Sequence, residues 1–226
     1  MPVKDVLSHN LMGIERESLR VDQEGNISQE LHPQAYGSPL TNPVITTDFS
    51  ESLIELVTKP VNGADKVLSE LEKILHYVNH HLSTSERLWP TSMPCILRGH
   101  TNIPIAQYGT SNLGRMKNVY RRGLAWRYGS VMQAIAGIHF NYSFSDDFWQ
   151  TYHDLISPDL SLRCFIDNHY MGLTRNVLRY GWLLPYLFGA SSSVCKSFME
   201  DYHEHDLQEF DYNTLYLPYA TSLRMG

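Results

Sequence analysis

The stretch Met12-Gly13-Ile14-Glu15-Arg16-Glu17-Ser18-Leu19-Arg20-Val21 constrains this chain more than any other. On a strand, successive side chains point to opposite faces. Glu15 and Glu17 therefore share a face, with carboxylates roughly 7 Å apart. Two like charges that close repel, and neither stays ionised cheaply without a cation between or beside them. An isolated E-x-E on a surface strand reads as a solvated face. A second acidic group at Asp48, Glu51 and Glu55, with a polar His139 in an otherwise apolar strand, points instead to a hard-cation site built across neighbouring strands. Residues 52–58 read as a strand ending before Pro60, on which Glu55 shares a face with Leu53 and Val57. A carboxylate on an apolar face is costly unless paired or metal-bound, which makes Glu55 a better ligand candidate than Glu51.

Around these strands the pattern is mixed. Residues 28–43 read as a long connection. Val67, Leu71, Ile74 or Leu75, Val78 and Leu82 recur at three- and four-residue steps, the mark of an amphipathic helix over residues 64–82. His76 and His80 lie on its polar face and read as solvated surface. Trp89 to Cys95 is a proline-locked stretch leading into a short strand. Ile105 to Gly114 matches no phosphate-loop motif and feeds a basic helix with Ser111 or Asn112 as N-cap. That helix carries Arg115, Lys117, Arg121, Arg122 and Arg127 among Met116, Val119, Tyr120, Leu124 and Trp126. A basic face is either simply solvated or, in an acidic protein, the place where carboxylate or phosphate ligands dock. Residues 132–144 read as a strand with Ile138, Phe140, Tyr142 and Phe144 on one side. His139, Asn141 and Ser143 lie on the other, a polar face of the kind that walls a site. Another helix is predicted over residues 161–180. The apolar run Trp182 to Ala190, broken by Pro185, is too short to span a bilayer. His203-Glu204-His205-Asp206 reads as a solvated loop.

Charge and cysteine usage narrow the class. A formal charge of −6 argues against a nucleic-acid partner, which needs a basic footprint. Cys95, Cys164 and Cys195 make neither a C-x-x-C pair nor a disulfide framework, so a reducing cytoplasm is the default location. Met1-Pro2-Val3-Lys4-Asp5 opens no apolar signal-peptide core, so no membrane partner is expected. Four carboxylates and one imidazole suit Mg²⁺ or Mn²⁺ better than zinc. A metal-rich site with arginines and no nucleophile motif fits phosphoryl transfer, in which positioning and charge neutralisation do the work. Residue chemistry alone thus reaches a metal-dependent enzyme using a phosphorylated cofactor.

Longer motifs go further. Residues 13–21, 45–55, 89–95 and 106–112, the run Gly137-Ile138-His139-Phe140-Asn141, and Tyr216 to Arg224 closely resemble the proteobacterial glutamate–cysteine ligase family. The likeness runs in order over essentially the whole chain. It implies an α+β fold like that of glutamine synthetase, an antiparallel sheet curved around the site with helices behind it. It also implies that ATP, L-glutamate and L-cysteine are converted to γ-glutamylcysteine, ADP and phosphate through γ-glutamyl phosphate, the first step of glutathione synthesis. By matching motif, Glu15, Glu17, Asp48, Glu55 and His139 are expected as metal ligands. Phe49, Tyr120, Arg121 and Arg224 are expected in the substrate pocket, with Arg121 also catalytic. Family members are much longer, so residues 1–226 are expected to be the N-terminal part of one catalytic domain, incomplete at its C-terminus. A non-catalytic remnant, or a related carboxylate–amine ligase with another amine acceptor, are the alternatives. If the sheet is completed elsewhere, Leu215, Leu217, Tyr219 and part of Trp182 to Phe188 should be exposed apolar surface.

Overall fold

A computed structural model describes residues 2–94, 96–97, 103–189, 191–199 and 206–220. In chain order its elements are α1 (Pro2–Val6), β1 (Leu11–Asp22), β2 (Ile45–Thr47), β3 (Leu53–Val57), α2 (Ala64–His81), β4 (Glu86–Leu88) and α3 (Asn112–Tyr128). There follow β5 (Ile138–Ser143), α4 (Asp146–Ile156), α5 (Leu162–Tyr180), α6 (Leu183–Phe188), β6 (Ser193–Cys195), β7 (Gln208–Glu209) and β8 (Thr214–Tyr216). The main sheet runs β2-β3-β1-β4, with β5 also paired to β1, and a small sheet runs β6-β8-β7. All pairings are antiparallel, so the fold is α+β, as the family resemblance implies.

Side-chain alternation along β1 divides the main sheet into two faces. Ile14 lies on the side that α2 covers, where Ile54 and Leu56 of β3 pack against Leu71, Ile74 and Val78. Those are the periodic apolar positions of α2, whose opposite face carries the exposed His76 and His80. On the other side Leu19, Val21 and Leu53 join Phe49, Val131, Ala134, Ala136, Phe198 and Leu215 in a second core. Glu15, Glu17 and Glu55 continue that same side beyond the core's edge.

One charged pair is locked inside. Arg20 is fully buried. Its Nη1 donates to Glu86 Oε1 at 2.6 Å, and its Nη2 donates to the carbonyls of Glu30 and Glu51 at 2.7 and 3.1 Å. Ser28 Oγ donates to the same Glu86 oxygen. The ion pair ties β1 to β4 and to the connection after β1.

Two sequence readings need correction. Residues 132–144 are not one strand: Met132–Ala134 is a 3-10 turn and β5 starts only at Ile138. Val131, Ala134 and Ala136 are drawn into the core, and the Ala136 N–H donates to the Ser92 carbonyl at 2.9 Å, which holds this stretch off the sheet. The apolar side of β5 is open, with Ile138 67% and Phe140 63% exposed. Leu215 is buried, because β8 is the central strand of the small sheet and its side chain packs with that core. Leu217 is half-buried, while Tyr219 and the α6 residues Leu184, Tyr186, Leu187 and Phe188 are exposed as expected. Cys95, His100, the His203–His205 segment and Arg224 lie outside the described residues. Among the described residues no helix is long and apolar enough to cross a membrane.

Removing one partner of the buried pair leaves the other charge uncompensated. Arg20→Met should therefore lower stability by about 3–5 kcal/mol, read from the urea midpoint, and adding Glu86→Leu should recover much of that loss. A single variant as stable as the parent would show the pair to be dispensable.

Candidate active site

Sheet register assembles the polar face. Glu17 stands opposite Glu55, Glu15 opposite His139, and Gly13 opposite Asn141. Directly opposed residues of an antiparallel pair project from the same face, with Cβ atoms about 4.5–5.5 Å apart. Five side chains from three strands therefore crowd one side of the sheet. Asn141 Nδ2 donates to Glu15 Oε1 at 2.9 Å, and His139 Nδ1 lies 3.1 Å from Glu15 Oε2. The Gly137 N–H donates to Glu17 Oε2 at 2.7 Å, while the Glu17 N–H donates back to the Gly137 carbonyl at 2.9 Å. A Cβ on residue 137 would stand 2.9 Å from His139 Nε2 and 3.3 Å from a Glu17 oxygen, so glycine lets the main chain approach that carboxylate.

Glu55 records the crowding. Burial first, then Asp48, Glu17 and Glu15, push its carboxyl up to about 7, while His139 pulls the other way. All five expected metal ligands thus belong to one electrostatic neighbourhood. They do not form a ready-made cage: among the described residues, no three His, Cys, Asp or Glu side chains are grouped so as to hold a metal ion. The Glu15 and Glu17 carboxylates are turned toward Asn141, His139 and Gly137 instead. The donor chemistry, oxygen-rich with one imidazole, fits Mg²⁺ or Mn²⁺, and the repulsion that lifts Glu55 is of the kind a cation relieves.

Glu51 has a different task. Buried at 6% exposure, it accepts from the main-chain N–H of His32 at 3.0 Å and of Gln107 at 2.8 Å. The second bond fixes the segment before α3. The Ala106 N–H donates to the Phe49 carbonyl and the Glu51 N–H to the Pro104 carbonyl, continuing the attachment. Tyr108 completes it: its hydroxyl donates to the Thr47 and Asp48 carbonyls at 2.7 and 3.1 Å. Helix α3 is seated on this segment. Ser111 caps it by accepting from the Gly114 N–H, as the sequence anticipates. A Cβ on Gly114 would stand 2.3 Å from the Tyr108 carbonyl oxygen, an impossible approach for any other residue.

Arg121 emerges from that helix next to the acidic face. Its Nε–H donates to the Asp48 carbonyl, and its guanidinium lies 4.6 Å from the Tyr108 ring centroid. Tyr120 stands 64% exposed on α3. Phe49 is only 1% exposed and packs in the core with Leu19 and Leu53, so its ring does not form an open pocket wall. Asn141, Gly137 and Tyr108 were not singled out as site residues from sequence. Asn141 shares the parity of His139 and was legible on that ground. The other two act through main-chain approach and through a loop, which no periodicity reports.

The architecture defines a class: an α+β protein whose antiparallel sheet is backed by a helix and presents an acidic face beside a cationic helix. A family model described as glutamate-cysteine ligase matches residues 2–226. A glutamate–cysteine ligase of Hahella chejuensis is 51% identical over 214 residues, covering 95% of this chain and 41% of that protein. One of Janthinobacterium is 50% identical over 223 residues, covering 99% and 42%. The structure is similar to that of Francisella tularensis glutamate–cysteine ligase in complex with AMP, with TM-score 0.88 and 41% identity over 96% of this chain and 42% of that one. It is also similar to a bifunctional glutathione synthetase from Pasteurella multocida, with TM-score 0.77 and 31% identity over 84% and 24%. The chain belongs to the glutamate–cysteine ligase family, and it spans less than half the length of the curated relatives it matches.

Glu55 gives a pH signature. A carboxyl that titrates higher folded than unfolded holds extra protons in the folded state between the two values, so stability falls as pH rises through that window. With divalent cations chelated, stability should drop between about 4.5 and about 7, by on the order of 1–3 kcal/mol. Glu55→Gln should flatten this dependence in denaturant titrations across pH. Equal slopes in parent and variant would assign the dependence to other groups.

Proposed function

We propose that this chain supplies the cation- and substrate-binding face of an ATP-dependent ligase that joins the γ-carboxylate of L-glutamate to the amine of L-cysteine. The products are γ-glutamylcysteine, ADP and phosphate, and residues 1–226 are part of one catalytic domain. The observation that carries the reading is the row of Glu15, Glu17, Glu55 and His139 on one sheet face, with Arg121 held at Asp48 beside it. Family membership and the AMP bound to the Francisella relative support it.

In this reaction an oxygen of the glutamate γ-carboxylate attacks the terminal phosphorus of ATP, and ADP leaves. The cysteine amine then attacks the acyl carbon of γ-glutamyl phosphate, and inorganic phosphate departs. The first step drives one anion onto another, so catalysis rests on holding the two in line and on positive charge facing the phosphoryl oxygens. Glu15, Glu17, Asp48, Glu55 and His139 would hold Mg²⁺ or Mn²⁺, which supplies charge neutralisation when bound. Arg121 offers a planar fork that orients a carboxylate or phosphoryl group, a geometry that lysine does not match. Tyr120 provides an apolar side for the thiol substituent, and Arg224 joins Arg121 in binding substrate. We place the protein in the cytoplasm, where ATP is available and the free Cys164 and Cys195 stay reduced.

The test uses the natural full-length protein and follows phosphate release with glutamate, cysteine and ATP. Activity should vanish with EDTA and return with Mg²⁺ or Mn²⁺. Glu15→Gln and Glu55→Gln should each lower kcat/KM by about 100-fold or more, and Arg121→Lys by at least about tenfold despite its retained charge. Metal-independent turnover, or variants with parental kinetics, would overturn the assignment.

A further inference from the structure

Arg121 does not stand alone on Tyr108. Lys117, one helical turn earlier and on the same side of α3, places its Nζ 4.9 Å from the same ring centroid. The two cations therefore share one aromatic ring. That ring is fixed: Tyr108 is 5% exposed, its hydroxyl donates to the Thr47 and Asp48 carbonyls, and it accepts from Thr47 Oγ1 at 3.0 Å. Both cationic side chains are half-buried. Among the described residues neither forms an ion pair with a carboxylate. The Arg121 Nε–H is used on the Asp48 carbonyl and one Nη on the Lys117 carbonyl at 3.3 Å, which among the described residues leaves further guanidinium donors and the Lys117 ammonium without a hydrogen-bond acceptor. Ring attraction stabilises each cation, but it does nothing to reduce their mutual repulsion. An oxyanion accepting from both does.

We propose that Lys117 and Arg121, seated together on Tyr108, form a clamp for a carboxylate or phosphoryl oxyanion, with Tyr108 as its positioning residue. The clamp's place in the reaction rests on the function proposed above; its capacity to bind an oxyanion does not. Arg121 holds the clamp to the Asp48 carbonyl, and the Asp48 carboxylate is an electrostatic neighbour of Glu55.

Two readouts on the full-length protein separate the clamp from the reaction. The first is equilibrium titration with inorganic phosphate and, separately, with L-glutamate, followed by the ¹⁵N–¹H signal of Arg121 Nε; it needs no turnover. At least one probe should give a saturable shift that Lys117→Met weakens about tenfold and Lys117→Arg largely restores. Tyr108→Leu, which removes the ring, should weaken the same probe, and Tyr108→Phe should do so less. The second readout is the set of KM values. Lys117→Met should raise one of the three by about tenfold and leave the others within about twofold: ATP if the clamp holds a phosphoryl group, an amino acid if it holds a carboxylate. No saturable shift with either probe, or binding by Lys117→Met within about twofold of the parent, would overturn the clamp. So would equal changes in all three KM values. An inactive parent that still binds phosphate or glutamate through Lys117 would instead overturn the reaction and leave the clamp standing.

Discussion

Register in an antiparallel sheet is all-or-none, and here it forces like charges together. Slipping β1 against β3 by one residue would turn Leu19 and Val21 out of the core along with Glu15 and Glu17. Apolar packing at one end of the face therefore holds Glu15, Glu17 and Glu55 side by side at the other. The strain shows in Glu55, lifted to about 7 by burial and by its acidic neighbours. It is partly met by the groups that face Glu15 and Glu17: the His139 ring, the Asn141 amide and the Gly137 N–H. Such an arrangement is costly as a structural device, and its repulsion is of the kind a cation would relieve.

Positive charge reaches this face by a separate route, through hydrogen bonds and not through the sheet. The buried Glu51 carboxylate grips the Gln107 N–H, the Tyr108 hydroxyl grips the carbonyls after β2, and Gly114 lets α3 rest directly on the Tyr108 carbonyl. Arg121 and Lys117 are the end of that chain. A carboxylate spent on main-chain N–H groups thus sets where the arginine stands. Glu51 and Glu55, four residues apart in one acidic cluster, thus differ: the first is spent on main-chain N–H groups, while the second faces the other carboxylates of the sheet.

Much of this was legible in sequence because it follows from parity. The shared face of Glu15 and Glu17 on β1, the strand that carries Glu55, the periodic face of α2 and the Ser111 cap all rest on spacing rules that local geometry obeys. What escaped depends on tertiary contact. Val131, Ala134 and Ala136 look like strand residues, yet the core takes them and delays β5 to Ile138. The apolar side of β5 has the alternation of a buried strand, but alternation says only which residues share a face, not whether anything covers it. Phe49 was expected in the substrate pocket by family resemblance, yet its ring is buried in the core with Leu19 and Leu53. Leu215 was expected to be exposed on a sheet completed elsewhere, whereas its place on the middle strand of a small sheet buries it.

The central claim is that the face formed by β1, β3 and β5 is a hard-cation site. Crystals of the full-length protein soaked with Mn²⁺, with anomalous scattering collected at the manganese edge, test it most directly. The account predicts an anomalous peak at coordination distance, about 2.2 Å, from at least two of the Glu15, Glu17 and Glu55 carboxylates, with Glu15 turned away from its present bonds to Asn141 and His139. A manganese peak elsewhere, with those bonds intact and Glu55 uncoordinated, would contradict it.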